Sequence, residues 1–403
     1  MKNETGRIVV TGLGSVSAAG TDMTSLWESA GEERINVRSM VIAGCDRPIS
    51  VYAAGEIPVA TPKEHRLVRH ADRSAQLALH AALEAWRTAG LDKNPADPLR
   101  TGLVIGSSRG PAEFNHRVDQ HLLKKATDSS YTAFSSISGI IATALKIQGC
   151  SLMTSATCIS SAVAIKTAMQ LLHSDELDVA LVGGVDAPLV DSLLEQFAAT
   201  QVLSLETGPQ ALLPFGKNRR GTVLGEGACF IVVESEKSAH RRDASILGLM
   251  LHVALGCDPG FRAGGNKNGE GLRRTIENAL RFLEWKPTQV DLLHLHGTGT
   301  LLNDSMESLC VQNLFGPVEG QPISWATKGL TGHTLGASAV FQVALTLEAM
   351  RQSYLPGTTN GSNQDPLCPI RLSLAPGSHQ PLGKALCLTS GFWGNTSCIA
   401  LGR

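Results

Sequence analysis

Residues 154–165, Thr-Ser-Ala-Thr-Cys-Ile-Ser-Ser-Ala-Val-Ala-Ile, decide the fold of this chain. They place Cys158 between a short apolar strand, residues 151–155, and an apolar helix, residues 162–172. A strand, a turn of small residues and a helix push the cysteine sulfur outward at a helix N-terminus. The backbone N–H groups there favour a thiolate and can bind an oxyanion. The stretch predicts a nucleophile; a buried structural cysteine in a β–α turn is the alternative when the stretch is taken alone.

Short apolar runs bounded by glycine alternate with helix-period segments along the chain. We predict buried strands at residues 7–10, 102–105, 151–154, 178–182 and 229–233, and then at 245–255, 291–296, 323–326, 384–389 and 397–401. The helix-period segments are 72–89, 134–147, 162–172, 270–283 and 335–350. Strands that alternate with helices predict an α/β layered fold.

The second half of the chain repeats the order of the first. Residues 324–327 lead into a Gly/Thr loop that carries His333 and then into a helix, as residues 151–155 lead into Cys158 and its helix. Two such βα halves packed together would bring both helix starts to one interface. We therefore predict an N-terminal half, 1–242, with the nucleophile, and a C-terminal half, 243–403, with the catalytic histidines.

Composition narrows the class of function. The 403 residues are 43% hydrophobic with a net charge of −1, which predicts a large core and no charge excess for nucleic acid or a membrane surface. The nine cysteines include no C-x-x-C pair and fit a reducing compartment. No apolar stretch approaches the roughly 20 residues of a spanning helix, and residues 1–6 lack the apolar core of a signal peptide. We expect a cytoplasmic protein.

Two histidine motifs complete the candidate site. His296 ends a strand and opens the polar loop His-Gly-Thr-Gly-Thr, at the edge where α/β folds place ligands. His333 follows Lys328 by five residues in a loop that opens a helix, which favours a neutral imidazole that donates N–H to a developing negative charge. Glu307, on the helix after the first loop, can neutralise Lys328.

His294 fits a core histidine with satisfied nitrogens. A metal site built from His294, His296 and Asp304 is the weaker alternative, because a third ligand with suitable spacing is lacking. A thiol with two N–H donors is instead a unit suited to thioesters: the thiolate attacks one acyl thioester while the donors hold the carbonyl of a second as its enolate develops.

With these motifs the chain resembles the elongating β-ketoacyl-[acyl-carrier-protein] synthases, types I and II, of the thiolase superfamily. The resemblance runs nearly end to end. It is carried by the opening strand at 7–14, Thr157-Cys158, the segment Pro-Phe-Gly to Gly-Glu-Gly-Ala at 214–228, His296-Gly-Thr-Gly-Thr with Asn303-Asp304, Lys328 with Thr331-Gly-His333, and Gly391-Phe-Trp-Gly-Asn. It implies a thiolase-like fold of two similar βα halves in a five-layer α-β-α-β-α arrangement.

The resemblance implies an acyltransferase that catalyses decarboxylative Claisen condensation of a Cys158-bound acyl chain with malonyl-acyl carrier protein. His296 and His333 would bind the malonyl thioester carbonyl and support its decarboxylation. The backbone N–H groups of Cys158 and Phe392 would form the oxyanion hole, and Phe392 would also gate acyl entry. The product would be a β-ketoacyl thioester on the carrier.

Further roles follow from the same resemblance. Thr298 and Thr300 would contact the phosphopantetheine arm. Lys328 with Glu307 would hold the His333 loop, and Asp304 would add structural support. No metal or organic cofactor would be required, because the acyl carrier protein brings its own pantetheine.

The partner implied is an acidic acyl carrier protein, which predicts a local basic docking surface. The candidates are Lys63, Arg66 and Arg69, with Lys124 weaker; such charges taken alone indicate only a solvated helix face. The resemblance also implies a homodimer with a sheet continuous across its interface, and a heterodimer with a second ketosynthase-like chain is the alternative.

Four residues depart from the family pattern: Arg109 in a Gly-rich loop beside the acyl pocket, Gly216 in the Pro-Phe-Asp segment, Arg262 in a pantetheine-binding stretch, and Trp393 in the Gly-Gly pair. Fatty acid synthesis and a specialised polyene or polyketide pathway both stay open.

Three rival functions each fit only part of the sequence. A chain-length-factor-like partner subunit would lack the cysteine that Cys158 supplies. A degradative thiolase needs a second cysteine in a Cys-x-Gly, and Cys387 has the wrong spacing. A nucleotide-dependent oxidoreductase, suggested by Gly12-x-Gly14, lacks the third glycine at Ser17.

Overall fold

A computed structural model describes residues 6–41, 48–57, 66–122, 128–259, 266–359 and 363–403. The helices in these ranges are α1 (Met23–Gly31), α2 (Arg73–Thr88), α3 (Ala112–Asp119), α4 (Asp128–Tyr131), α5 (Ser135–Leu145), α6 (Ser160–His173), α7 (Asp191–Ala199), α8 (Glu236–Arg241), α9 (Glu270–Leu283), α10 (Leu301–Phe315), α11 (Lys328–Thr331) and α12 (Ser338–Gln352). The strands are β1 (Ile8–Ser17), β2 (Arg38–Met40), β3 (Ile49–Val51), β4 (Thr101–Gly106), β5 (Ser151–Thr154), β6 (Val179–Asp186), β7 (Gly227–Ser235), β8 (Gly248–Cys257), β9 (Leu292–His294), β10 (Ile323–Trp325), β11 (Tyr354–Leu355), β12 (Ser378–His379), β13 (Lys384–Ser390) and β14 (Asn395–Gly402).

The main sheet repeats one strand pattern twice. Its order is β5-β4-β6-β7-β1 and then β8-β14-β13-β9-β10. In the first five strands, β5, β4 and β6 are parallel, and β7 and β1 follow antiparallel. In the other five, β10, β9 and β13 are parallel, and β14 and β8 follow antiparallel. The pairing of residues 8–10 with 248–250 joins the two groups of strands. The chain is thus built from two similar βα halves, as predicted, while the boundary at 242 remains a prediction.

Three large apolar cores hold the layers of the structure together. One core lies between α2 with α5 and the outer face of the first five strands. A second contains α6 and α12 with residues from both groups of strands. The third lies between α9 with α10 and the outer face of the second five strands. Helix α12 is buried along nearly its whole length, which suits a helix covered on both sides. The predicted α-β-α-β-α arrangement is confirmed.

The ten predicted strands correspond to the ten strands of the main sheet, with shifted ends. The first extends from the predicted 7–10 to residue 17 through a glycine-rich run that weakens the sequence signal. Those glycines are required by close packing, because a Cβ at Gly14 would lie 2.2 Å from the Ala81 carbonyl oxygen of α2. The short pairs β2–β3 and β11–β12 were not predicted from the sequence.

Two further glycines allow the nucleophile helix to approach the sheet. A Cβ at Gly106, the last residue of β4, would lie 2.3 Å from the backbone at Ser160 and Ser161. A Cβ at Gly184 in β6 would lie 2.8 Å from both Ser161 and Ala337. The start of α6 and the turn before α12 therefore meet over β4 and β6, and this meeting point carries the candidate site.

Within the described ranges, every helix is too short or too polar to cross a membrane.

Candidate active site

Cys158 lies in a strained turn between β5 and α6. The preceding Thr157 has a φ of 54°, in the left-handed region that a β-branched residue rarely adopts. Ser160 closes the turn, because its Oγ donates to the Thr157 carbonyl at 2.6 Å and accepts from the Ala156 N–H at 2.9 Å. The backbone N–H of Phe392 faces the sulfur. The predicted strand–turn–helix elbow is present and holds the sulfur at one position.

His333 is fixed by the N-terminal half of the chain. Its backbone N–H donates to the Val223 carbonyl at 2.8 Å, and its carbonyl accepts from the Gly225 N–H at 3.1 Å. Gly332, with a φ of 69°, precedes it, and a Cβ there would lie 2.7 Å from the Tyr52 side chain. The His333 imidazole thus belongs to the second half of the chain, and backbone hydrogen bonds to the first half fix its position.

The three predicted catalytic side chains converge. The Cys158 Sγ lies 3.3 Å from the Nε2 of His333. The rings of His296 and His333 are edge to face, with centroids 5.2 Å apart and planes at 83°. One nitrogen of each imidazole and the sulfur all lie within 4.8 Å of one another. All three border a cavity of about 770 Å³.

Two buried charged side chains hold the His296 loop in place. Glu307 accepts the backbone N–H of His296 at 2.6 Å and that of Gly297 at 2.9 Å. The Nζ of Lys328 donates to the His296 Nδ1 at 3.2 Å and also to the His296 carbonyl. Because the Nδ1 accepts, a neutral His296 carries its proton on Nε2.

These contacts correct one expectation about Lys328 and Glu307. Their side chains hold the His296 loop and not the loop that carries His333, although Lys328 lies five residues before His333 in the sequence. The one-turn helix α11 separates them, and the Nδ1 of His333 instead faces the Ser338 hydroxyl at 3.2 Å.

Asp304 also contacts the loop that carries His296. It accepts the backbone N–H of Phe215 at 2.7 Å and that of Gly299 at 3.2 Å. Arg219 lies 3.9 Å from it and pairs with Asp365. Gly216, which departs from the family pattern, follows Phe215 in the chain, and its carbonyl oxygen accepts a hydrogen bond from Arg219 at 3.1 Å.

Burial sets the charge states of the site. It lowers the pKa values of His296 and His333 well below the ordinary range, and the nearby Lys328 lowers them further. Burial also lowers the pKa of Lys328 and raises that of Glu307. Both imidazoles are therefore neutral N–H donors, as the sequence predicts for His333.

The protonation state of the Cys158 thiol differs from the expectation. Burial raises the pKa of Cys158 to about 11, while Lys328 and Arg109 act to lower it. Desolvation thus opposes the stabilisation of a thiolate expected from the helix start, and the resting group is a thiol beside a neutral imidazole.

His294 is the core histidine that the sequence favours. Its Nδ1 lies 2.9 Å from the Thr346 hydroxyl and its Nε2 lies 3.0 Å from that of Thr327. With both nitrogens engaged, the metal site of His294, His296 and Asp304 is wrong. The three atoms of Cys158, His296 and His333 are close enough to ligate a metal ion, but the Lys328 ammonium on His296 opposes a cation there.

The residues predicted around the triad also border the cavity. Thr298 and Thr300 line it with their hydroxyls 3.0 Å apart, and Thr300 caps α10. Phe392 lines it and packs against Phe197, with ring centroids 6.3 Å apart. Trp393 stands at the rim, 60% exposed and with a φ of 64°.

Sequence reasoning missed Asp186, which ends β6. Its fully buried carboxylate accepts from the Ser107 hydroxyl and from the backbone N–H groups of Ser108, Arg109 and Gly336. It thereby joins the loop beside Cys158 to the turn after His333. The available signal was an acidic residue that closes an otherwise apolar strand.

The predicted docking residues are only partly described. Arg66 and Arg69 are exposed, as a docking role requires. Lys63, Lys124 and the departure at Arg262 lie outside the described residues.

The fold and the convergent thiol and imidazoles define a thiolase-type site, and comparison with known proteins identifies the family. The description "Beta-ketoacyl synthase, N-terminal domain" matches residues 5–239, and "Beta-ketoacyl synthase, C-terminal domain" matches residues 247–362. The chain belongs to the β-ketoacyl synthase family.

Similar curated proteins are named 3-oxoacyl-[acyl-carrier-protein] synthase 2. That of Staphylococcus aureus (strain COL) is 28% identical over 98% of this chain and 97% of its own length. That of Coxiella burnetii is 26% identical over 98% of each chain.

Solved structures share the fold. A ketosynthase in complex with a type II polyketide synthase acyl carrier protein has a TM-score of 0.89 at 24% identity, covering 99% of this chain and 100% of its own. The ishigamide ketosynthase/chain length factor has a TM-score of 0.90 at 24% identity, covering 99% of each chain.

Proposed function

We propose that this protein is an acyltransferase that condenses a Cys158-bound acyl chain with malonyl-acyl carrier protein and releases carbon dioxide. The observation that carries the proposal is the convergence of one thiol and two neutral imidazoles on one cavity, with Cys158 3.3 Å from His333. Matches to the two β-ketoacyl synthase domain descriptions support it.

In the first step Cys158 attacks the acyl thioester of a carrier. A bond forms between its sulfur and the acyl carbon, the carrier's carbon–sulfur bond breaks, and the thiol proton passes to the departing sulfur. The carbonyl oxygen becomes an oxyanion in between. The backbone N–H groups of Cys158 and Phe392 are the proposed donors to it, since the N–H of Phe392 already faces the sulfur.

In the second step the malonyl group loses carbon dioxide. The electron pair of the broken carbon–carbon bond moves into an enolate, whose charge develops on the thioester oxygen. The Nε2–H of His296, fixed by Lys328 on the opposite nitrogen, is one donor to that oxygen. His333 is the other donor, through its Nε2–H, with the Ser338 hydroxyl donating to its Nδ1.

In the third step the enolate carbon attacks the acyl carbon on Cys158. The carbon–sulfur bond to Cys158 breaks, the thiolate takes up a proton, and the β-ketoacyl product remains on the carrier. No bound metal or organic cofactor is needed in this scheme. Thr298 and Thr300, which line the cavity, are the proposed contacts of the pantetheine arm.

Acyl carrier protein is the proposed partner, with Arg66 and Arg69 as docking residues. A homodimer is proposed through β5, which ends the sheet and exposes Ser151 and Leu152. A heterodimer is the alternative, because one similar structure is described as a ketosynthase/chain length factor. Cys158 makes this chain the catalytic member of such a pair. The eight described cysteines are free thiols, in keeping with a cytoplasmic location.

The proposal is tested by intact-protein mass spectrometry with acyl-carrier thioesters and by release of carbon dioxide from malonyl carrier. We expect an acyl mass gain that Cys158→Ala abolishes and that Cys257→Ala, which changes an exposed cysteine, retains. His333→Ala should load acyl groups yet release little carbon dioxide. Acylation of Cys158→Ala, or unchanged decarboxylation in His333→Ala, would refute the mechanism; loss of activity on adding a chelator would instead indicate metal chemistry.

A further inference from the structure

Arg109 brings a guanidinium into the cavity that the proposed mechanism does not use. It lines the same cavity as Cys158 and lies between β4 and α3. Its guanidinium carbon is 5.0 Å from the centre of the Phe197 ring. The apolar residues packed around Cys158 include Phe197, Val202 and Leu335. A permanent cation thus faces an otherwise apolar part of the acyl pocket.

Apart from its stacking on Phe197, the Arg109 side chain makes no hydrogen bond or ion pair with the described residues. Its Nε is buried and makes no hydrogen bond. The nearby carboxylate of Asp186 accepts the backbone N–H of Arg109 at 2.8 Å and is otherwise engaged by Ser107, Ser108 and Gly336. The backbone is therefore anchored, while the terminal nitrogens of a side chain that lines the cavity make no hydrogen bond to the described residues.

A buried donor without an acceptor is costly, and stacking on an aromatic ring leaves the in-plane N–H groups of a guanidinium available. Those groups form a planar fork that suits an oxygen acceptor, above all a carboxylate. A plain alkyl chain would cover the fork and leave it unpaired. An oxygen atom on the chain would satisfy it.

We propose that the acyl chain carried by Cys158 bears an acceptor oxygen, either a carboxylate or a carbonyl, and that Arg109 binds it. The inference rests on the condensation proposed above and narrows its substrate class. Arg109 would be a specificity-determining residue that contacts substrate beyond the reacting carbonyl.

The experiment compares loading of four six-carbon acyl groups, each offered as a pantetheine thioester: hexanoyl, 3-oxohexanoyl, 5-oxohexanoyl and adipoyl. Time courses by intact mass give kcat/KM for acylation of Cys158. We expect at least one oxygenated chain to exceed hexanoyl by about tenfold to a hundredfold, as for a hydrogen bond to a charged group. Preference for adipoyl identifies a carboxylate, and preference for an oxo chain identifies a carbonyl.

Variants assign the preference to the guanidinium. Arg109→Met should bring the oxygenated-to-hexanoyl ratio close to one. Arg220→Met is the matched control, because Arg220 lines the same cavity but is exposed, and it should leave the ratio unchanged. Arg109→Lys, which keeps the charge without the fork, should shrink the preference and serves where Arg109→Met does not fold.

The results that overturn the inference differ from those that overturn the proposed function. If the wild type loads hexanoyl as fast as every oxygenated chain, or if both Arg109 variants keep the wild-type ratio, the inference is wrong and the condensation stands. An equal loss for all four chains in Arg109→Met, with alkylation of Cys158 shifted to higher pH, would assign Arg109 to the thiol instead. If no chain acylates Cys158, both proposals fail.

Discussion

Asp186→Asn tests whether a buried carboxylate joins the two halves of the site. The two oxygens of Asp186 accept four donors at 2.7 to 3.0 Å: the Ser107 hydroxyl and the N–H groups of Ser108, Arg109 and Gly336. An asparagine offers one oxygen, so two of the four donors then face an N–H₂ group. We expect the loop beside Cys158 and the turn after His333 to lose their common anchor.

The magnitude follows from the pKa of Asp186, which burial raises to about 6 from an ordinary 3.8. For an acid whose folded pKa is raised, the folded state holds more protons than the unfolded state between these values, so stability falls as the pH rises from about 4 to 6. The difference corresponds to about 3 kcal/mol in the free energy of unfolding. Asparagine does not titrate and lacks this loss.

The assay is chemical denaturation of the wild type and Asp186→Asn at pH 4 and pH 7. From pH 4 to pH 7, the free energy of unfolding of the variant should rise by about 2–3 kcal/mol relative to that of the wild type. This difference does not depend on the stability of the variant at either pH. Asp92→Asn, a change at an exposed aspartate, is the matched control and should show no such gain.

Acylation of Cys158 gives the functional readout. The wild-type rate should fall as the pH drops through about 6, because a protonated Asp186 gives up an acceptor. Asp186→Asn should be slow throughout and lack this fall. Either of two outcomes would show that the carboxylate does not connect the two loops. One is the same change of stability with pH in the wild type and the variant. The other is acylation of the variant at the wild-type rate at pH 7.

Two further predictions concern His296 and the rim. Lys328→Met should lower the rate of carbon dioxide release from malonyl carrier by about 10²–10³-fold, because the donor that fixes the His296 proton on Nε2 is lost. The rate of acylation of Cys158 should change only a few-fold. Equal losses in both assays would contradict this prediction. In denaturant titrations, the free energy of unfolding of Trp393→Gly should exceed that of Trp393→Ala by about 1 kcal/mol. Both variants remove the ring, but only glycine relaxes a φ of 64°. Equal free energies of unfolding would show that the backbone at this position is unstrained.

The sequence identified those features of the site that local pattern carries. A cysteine between a strand and a helix, and histidines at the ends of core elements, were sufficient to bring Cys158, His296 and His333 together, and the structure places them around one cavity. The ten main strands were found for a similar reason, since each is an apolar run with a glycine near at least one end.

The contacts between loops were not predictable in the same way. The family resemblance assigned the Lys328 side chain to the His333 loop, whereas the turn of α11 directs the lysine back to His296. Asp186 lies 150 residues from Gly336 in sequence, and only the packing of the two halves makes them partners. Such long-range hydrogen bonds leave no periodic signal.

The placement of charge around the cavity fits the reaction proposed for it. Decarboxylation moves negative charge from a carboxylate to an enolate oxygen, so a full cation near the malonyl group would stabilise the ground state as well as the transition state. Neutral N–H donors aimed at the thioester oxygen favour the enolate selectively. The site keeps both imidazoles neutral by burial and sets the charges of Lys328 and Glu307 behind His296. The guanidinium of Arg109 lies instead over Phe197, among the apolar residues around Cys158, where it can bind an acyl chain without stabilising the carboxylate that must leave.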